Sequence, residues 1–298
     1  SFPTRRSSDL LLEVIPADPV QPAGTVWTNV KDMKIINKGL EIELDYKVKT
    51  RSGNTFNIGG NVTFIDNVVR NSPYTVIPSG SASGSGLTSA TINGYVSGQP
   101  IGTFFLKEWI GFDAAGLSKY RDIDGDNIIS DKDRIAAGTA LPNLLYNFFA
   151  STEYKGFDIV INFNGVSGNK IYDNTANSNF YKLKLSKSVN TTAEAIASPE
   201  ESINNAAPVS TRYLKDGAFF RLNNAALGYS IRPQSIGLGK WISNLRLSVT
   251  GQNLLVFTAY NGYDPEVNAA GQSTLLRGID FGSTPIPRTF SFGIKADF

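Results

Sequence analysis

"LEIELDYKVKTRSGNTFNIGGNVTF" (Leu40–Phe64) decides the fold. Leu40, Ile42, Leu44, Tyr46 and Val48 alternate with Glu41, Glu43, Asp45 and Lys47. Beyond the short connection KTRSGNT, Phe56, Ile58, Val62 and Phe64 alternate with Asn57, Asn61 and Thr63. A period of two residues sends apolar side chains to one face of a strand and polar ones to the other, so the stretch predicts two half-buried strands. The pattern returns at Phe157–Asn164, where Val160 is the one slip, at Leu245–Thr250 and at Thr289–Phe298.

A water-soluble sandwich produces the same alternation. Two features favour a membrane β-barrel instead. The strands run to roughly 10–13 residues, longer than the ~5–6 usual in soluble sheets and near the span of a tilted membrane strand. The connections also alternate, with KTRSGNT, Lys155–Gly156 and Pro233–Lys240 short and Asp66–Asn143, Val166–Asp216 and Ala259–Pro285 long. Outer-membrane barrels have short periplasmic turns opposite long external loops. Parity from Phe298 puts the three long stretches outside, and the apolar run Ile101–Phe112 fits that parity only within the first of them. Trp241 and Tyr229 flank the Pro233–Lys240 turn, where an interfacial aromatic belt is expected and ordinary packing is the alternative. The expected fold class is all-β, an antiparallel transmembrane β-barrel present in part. About seven spanning strands are too few to close a barrel, because closed ones begin at about eight.

Composition narrows the function. The 298 residues carry 28 basic and 26 acidic side chains, a balance that offers nucleic acid no basic face. Cys is absent, which removes disulfides, zinc–thiolate sites and cysteine nucleophiles. His is absent too, so a Ser–His–Asp triad and the usual neutral-pH general base are excluded. The expectation is a protein that is not an enzyme. No window has the apolar length of a membrane-spanning helix, whereas 11% aromatic residues and 28 glycines suit a membrane barrel. The Gly/Ser-rich Ser79–Leu87 lacks the Lys of a phosphate-binding loop and reads as flexible loop.

One segment has metal-binding spacing. In "DIDGDNIISDKD" (Asp122–Asp133), Asp122, Asp124 and Asp126 stand at positions 1, 3 and 5 of a calcium loop. The Ile128 carbonyl stands at 7, Ser130 at 9 and Asp133 at 12. Asn127 takes the place of the usual Gly, and Asp133 that of a bidentate Glu, which weakens the site for Ca2+. A solvated acidic turn rich in Asx motifs is the alternative reading.

Six stretches, in order from about Val26 onward, resemble the C-terminal end of SusC/RagA-type TonB-dependent outer-membrane transporters. They are NVKDMKIINKGLEIELDYK, YRDIDGDNIISDKDRIAAG, NFFASTEYKGFDIVINFNGVSGNKIYD, YLKDGAFFRLNNAALGYSI, LRLSVTGQNLLVFTAYNGYDPEV and GIDFGSTPIPRTFSFGIKADF. The resemblance implies the last third of a barrel of about 22 strands. It implies a location in the outer membrane of a Gram-negative bacterium and import of glycans or oligopeptides. A SusD-like surface lipoprotein would cap the barrel, and TonB–ExbB–ExbD would act through an N-terminal part not in this chain. Asp122, Asp124, Asp126 and Asp133 match the family's acidic D-x-N-G-D-G loop, with Asp124 and Asn127 replacing its Asn and Gly. Two alternatives are a siderophore or cobalamin receptor, and a soluble, calcium-stabilised carbohydrate-binding or adhesin β-domain.

The ends carry their own expectations. In SFGIKADF, the residues Ser291, Gly293, Ala296 and Phe298 form a pattern similar to the β-signal read by the outer-membrane assembly machinery through strand pairing. SFPTRRSSDL (1–10) resembles the conceptual translation of a sequencing adapter, so Arg5 and Arg6 are given no function. The expected organisation is an adapter-derived 1–10, an external loop remnant over 11–37, and barrel from 38 to 298 lying in the lipid bilayer.

Overall fold

The computed structural model describes residues 8–9, 12–16, 25–87, 90–186, 191, 193–266, 268–269 and 277–298. Arg5 and Arg6, and all of the 1–10 stretch except Ser8 and Asp9, lie outside these.

The alternating segments form one continuous antiparallel wall. Its members are β1 (Lys34–Lys49), β2 (Thr55–Arg70), β3 (Leu144–Tyr154), β4 (Phe157–Ser167), β5 (Phe219–Ile231), β6 (Asn244–Thr258) and β7 (Thr289–Asp297), paired in that order. Register makes the apolar face continuous from strand to strand. Leu44 lies beside Gly60, Gly60 beside Phe148, Phe148 beside Phe163, and Phe163 beside Leu222. Leu222 is followed by Leu255, while lower in the wall Leu227, Val249 and Phe292 continue the same face. The opposite face carries Glu43, Asn61, Asn147, Asn164, Arg221 and Ser291 by the same registers. This is a partial barrel with an apolar exterior and a polar lumen side.

The apolar face has no cover. Leu44 is 75% exposed, Phe292 85% and Ile294 78%, values that in water mark a surface awaiting a partner. Aromatic side chains gather near the short-turn rim, where Phe157 and Tyr229 lie with ring centroids 4.5 Å apart and Trp241 stands exposed. A second group, with Phe163 stacked on Phe220 at 5.0 Å and Tyr146 on Phe220 at 6.0 Å, lies toward the long-loop rim. Among the described residues no helix is long and apolar enough to cross a membrane, which says nothing about crossing by strands.

On the lumen side, polar groups find one another across strands. Arg246 of β6 reaches over β5 to Asp158 of β4, donating from Nε at 2.9 Å and from Nη2 at 2.5 Å. The bridge crosses Gly228, and a Cβ there would collide with both Asp158 and Arg246. The glycine is the saddle over which the ion pair passes. Short connections close one rim: a two-residue turn with Lys155 and Gly156 at positive φ, and a turn containing the 3-10 helix Pro233–Ile236 that ends on Gly237 at φ 77°.

Most of the buried core lies outside the wall, although Ile35 of β1 and Val69 of β2 join a smaller cluster with Val30, Met33 and Tyr95. The described residues of loops 71–143, 168–218 and 259–288 fold together at the other rim. Ile101–Phe112 gives one strand, Thr103–Lys107, to a four-stranded sheet, and another, Trp109–Phe112, to a separate hairpin. A three-stranded sheet joins Leu214–Asp216 and Lys170–Asp173 of the second loop to Ile279–Asp280 of the third. Ile92, Phe104, Leu106, Tyr172, Tyr213 and Ile279, drawn from all three loops, make the main apolar cluster. Every one of them is at most 5% exposed, so the loops bury what the wall leaves open.

A charge on the outer face should therefore cost far more than one on the lumen face. Leu44→Arg is expected to destabilise the assembled wall in a bilayer by about 2–4 kcal/mol. Glu43→Arg, one residue away and on the opposite face, should stay within about 1 kcal/mol. Urea titration of folded protein in lipid vesicles, followed by tryptophan fluorescence, measures both.

Candidate functional site

Where the three loops meet they enclose a cavity of about 720 Å3, within the size range of small-ligand sites. Trp109 and Phe112 come from the first loop, Asp173, Arg212 and Tyr213 from the second, and Asn261, Tyr263, Asp280 and Ser283 from the third. Arg212 organises one wall. Its guanidinium lies 5.1 Å from the Phe112 ring centroid, 5.3 Å from Tyr213 and 5.6 Å from Trp109, and it donates two bonds to the Glu201 carboxylate at 2.9 and 2.7 Å. Burial works to raise the Glu201 carboxyl, but the bonds from Arg212 and Asn205 outweigh it and hold the group below its ordinary value. The charge on this wall is thus paired, and the rings are fixed by stacking on the cation. Burial pushes the Tyr213 hydroxyl far above the phenol range, so it stays neutral.

The opposite side is more open. Tyr263 is 76% exposed at the rim, while Asp280 is buried and accepts a 2.5 Å bond from the Tyr260 hydroxyl. Asp173 accepts from Ala176 N–H at 2.8 Å and so caps the short helix Asn174–Asn179. Aromatic surface beside carboxylates and the amide of Asn261 gives the cavity both stacking and hydrogen-bonding capacity. The sequence reading did not find this site, because its residues are scattered over three loops without period or motif.

The acidic loop lies apart from this cavity. The carboxylates of Asp122, Asp124 and Asp126 offer oxygens within 4.8 Å of one another. Backbone amides order them: Asp122 accepts from Gly125 at 2.7 Å and Asn127 at 2.8 Å, and Asp126 from Ile128 at 2.7 Å. Asn127 adopts the left-handed conformation at φ 62°, as its place in the loop requires. Asp133 does not join the three. It is buried and bonded to Ile123 N–H at 2.7 Å and Ser130 N–H at 2.6 Å, pinning the two ends of the loop. Ser130 caps the following turn by accepting from Lys132 N–H, and Ile128 is exposed. The Lys132 ammonium sits 3.9 Å from Asp124. An all-oxygen donor set of three carboxylates fits a hard cation such as Ca2+.

Three of the four residues of the expected assembly signal lie on the last strand. Ser291 and Gly293 are on the lumen face and Ala296 on the apolar face, while Phe298 follows the strand and is 94% exposed. Among the described residues β7 pairs only with β6, and β1 has beyond β2 only the two-residue Ser8–Asp9 bridge.

No family model matches the chain. It is 35% identical over 198 residues to TonB-dependent receptor P3 of Formosa agariphila, covering 61% of this chain and 19% of that protein. It is 23% identical to TonB-dependent receptor SusC of Bacteroides thetaiotaomicron, covering 88% of this chain and 26% of that one. The chain thus spans about a fifth to a quarter of the curated relatives it matches. Its fold superimposes on the RagAB peptide transporter with a TM-score of 0.72 at 18% identity, over 97% of this chain and 32% of that one. The resemblance to SusC/RagA-type receptors holds in sequence and in fold.

Backbone bonds, from Ser130 first and Ile123 next, hold the Asp133 carboxyl below its ordinary value. Because folding depresses it, its contribution is complete above about pH 4. It is lost as pH falls through the lowered value. Amide exchange at Ile123 and Ser130, normalised to intrinsic rates, should stay slow down to about pH 4 and accelerate below it. In Asp133→Asn it should be faster throughout, without the acid step.

Proposed function

Because the chain resembles SusC/RagA-type TonB-dependent receptors in sequence and fold, we propose that it is the C-terminal wall of an outer-membrane transporter. The transporter imports glycans or oligopeptides in a Gram-negative bacterium. The single observation that carries this reading is the unbroken apolar face from β1 to β7 over a polar lumen face, with long loops at one rim only. Lipid covers the apolar face, and further strands cover the open edges, since unpaired backbone in hydrocarbon costs several kcal/mol per group. The long-loop rim faces outward under a SusD-like lipoprotein, and TonB–ExbB–ExbD acts from the other side through segments outside this chain. The relatives bear receptor or transporter names, in keeping with a role that is not catalytic.

The loop cavity is the part of this wall that touches cargo, with exposed Tyr263 as its platform. Asp122, Asp124 and Asp126 hold Ca2+ and stiffen the first loop, with the carbonyl of exposed Ile128 as a further oxygen, while Asp133 and Ser130 fasten the loop behind them. Ser291, Gly293, Ala296 and Phe298 serve as the assembly signal.

Deleting the gene in its host, then scoring growth on single glycans and on protein hydrolysate, tests the transport reading. Loss of growth on one class is expected, restored by the wild-type gene and at least about tenfold slower in uptake with Tyr263→Ala. Unchanged growth on every source, with the protein absent from the outer membrane when expressed, would sink it. For the cation, calorimetry with CaCl2 should show binding that Asp122→Asn together with Asp126→Asn weakens by at least about tenfold.

A further inference from the structure

Arg221 is the largest fully buried side chain among the described residues, and it lies on the lumen face of β5. Its guanidinium is divided among three partners. Nη2 donates to Asp264 at 2.6 Å and Nη1 to the Asn253 amide oxygen, while Nε lies 3.0 Å from Glu266 as an ion pair without hydrogen-bond geometry. Asn253 stands at φ 53° in β6, beside the register shift between β5 and β6, so its side chain serves the loop rather than the ladder. Its amide nitrogen donates to the Ile286 carbonyl at 2.6 Å. Asp264 and Glu266 begin loop 259–288, and Ile286 ends it. Both ends of the third loop are therefore tied to one point on the inner wall.

Those ties flank the cavity residues of the same loop. Tyr263 immediately precedes Asp264, and Gly282 and Ser283 lie just before Ile286. We propose that Arg221 is a positioning residue that couples the loop cavity to the inner wall, seating Tyr263 and Ser283 only while its three ties are made. The coupling regulates the site assigned above and rests on that reading for its biological use. Losing one partner leaves a guanidinium that is 2% exposed with its charge poorly compensated, a cost that water reaching it relieves. The loop thus has two arrangements, seated with all three ties or lifted with Arg221 hydrated. A ligand that prefers the seated cavity strengthens the ties, and breaking the ties weakens the ligand by the same factor. Lys has one charge centre and no fork, and cannot serve all three partners.

The chain has no cysteine, so Ser283→Cys gives a clean reporter in the full-length protein purified in detergent. Maleimide labelling of this residue should be at least about tenfold faster with Arg221→Met or Asp264→Asn, and intermediate with Arg221→Lys. Arg246→Met, which breaks the Asp158 pair on the same inner face away from the loop, should leave the rate unchanged. Barrel folding is checked by the heat-dependent shift in gel mobility. Should Arg221→Met fail to assemble, Asp264→Asn decides. Unchanged labelling in both variants, or an equal rise with Arg246→Met, overturns the coupling. Labelling requires no transport, so this outcome is separate from that of the growth assay.

Discussion

Between Lys34 and Asp297, backbone amides and carbonyls are exchanged from strand to strand without a gap, and each added strand keeps the register of the last. This pairing fixes which side chains face which way. A slip of one residue anywhere would send a row of Leu, Ile and Phe into the lumen and a row of Asn and Glu outward. The shifts between β4 and β5 and between β5 and β6, both where Asn223 is passed over, are the exceptions, and in the second Asn253 takes a left-handed conformation that lets the alternation resume on both sides. The wall needs little core of its own because the ladder already satisfies its polar backbone.

The loops solve a different problem. They carry backbone that no wall strand pairs, and they satisfy it with small sheets and with buried amide side chains. Asn93 and Asn174, both fully buried, bond to backbone carbonyls across loops, at Arg277 and Ser83. A buried polar group costs stability unless it is bonded, and most though not all of those in this layer are, the Tyr213 hydroxyl having no hydrogen-bond partner among the described residues. The result is a loop layer with a true interior, anchored below by Arg221 and organised beside the cavity by the Arg212–Glu201 pair.

Much of the wall was legible in the sequence because a two-residue period is a local property. Leu40–Val48 carries its own face assignment whatever lies around it, and even Val160, the slip in β4, does not disturb the neighbours' register. The loop layer was not legible, because Ile92, Phe104, Tyr172 and Ile279 meet only after long excursions and share no period. In the acidic loop, spacing brought three carboxylates together but gave no sign that Asp133 staples the loop ends. Arg221 did leave a signal that the reading passed over. An arginine inside FFRLNN, flanked by apolar strand residues, calls for acids elsewhere in the chain, and YDPE supplies them.

Gly228 has a consequence for how such chains can diverge. The acid on β4, the glycine on β5 and the base on β6 form one unit, since the ion pair exists only where the middle strand has no side chain. Replacing the acid or base alone strands a charge, and enlarging the glycine parts the two. Inheritance at these positions is therefore a three-body affair, and a comparison that weighs residues two at a time would find each pair only loosely linked.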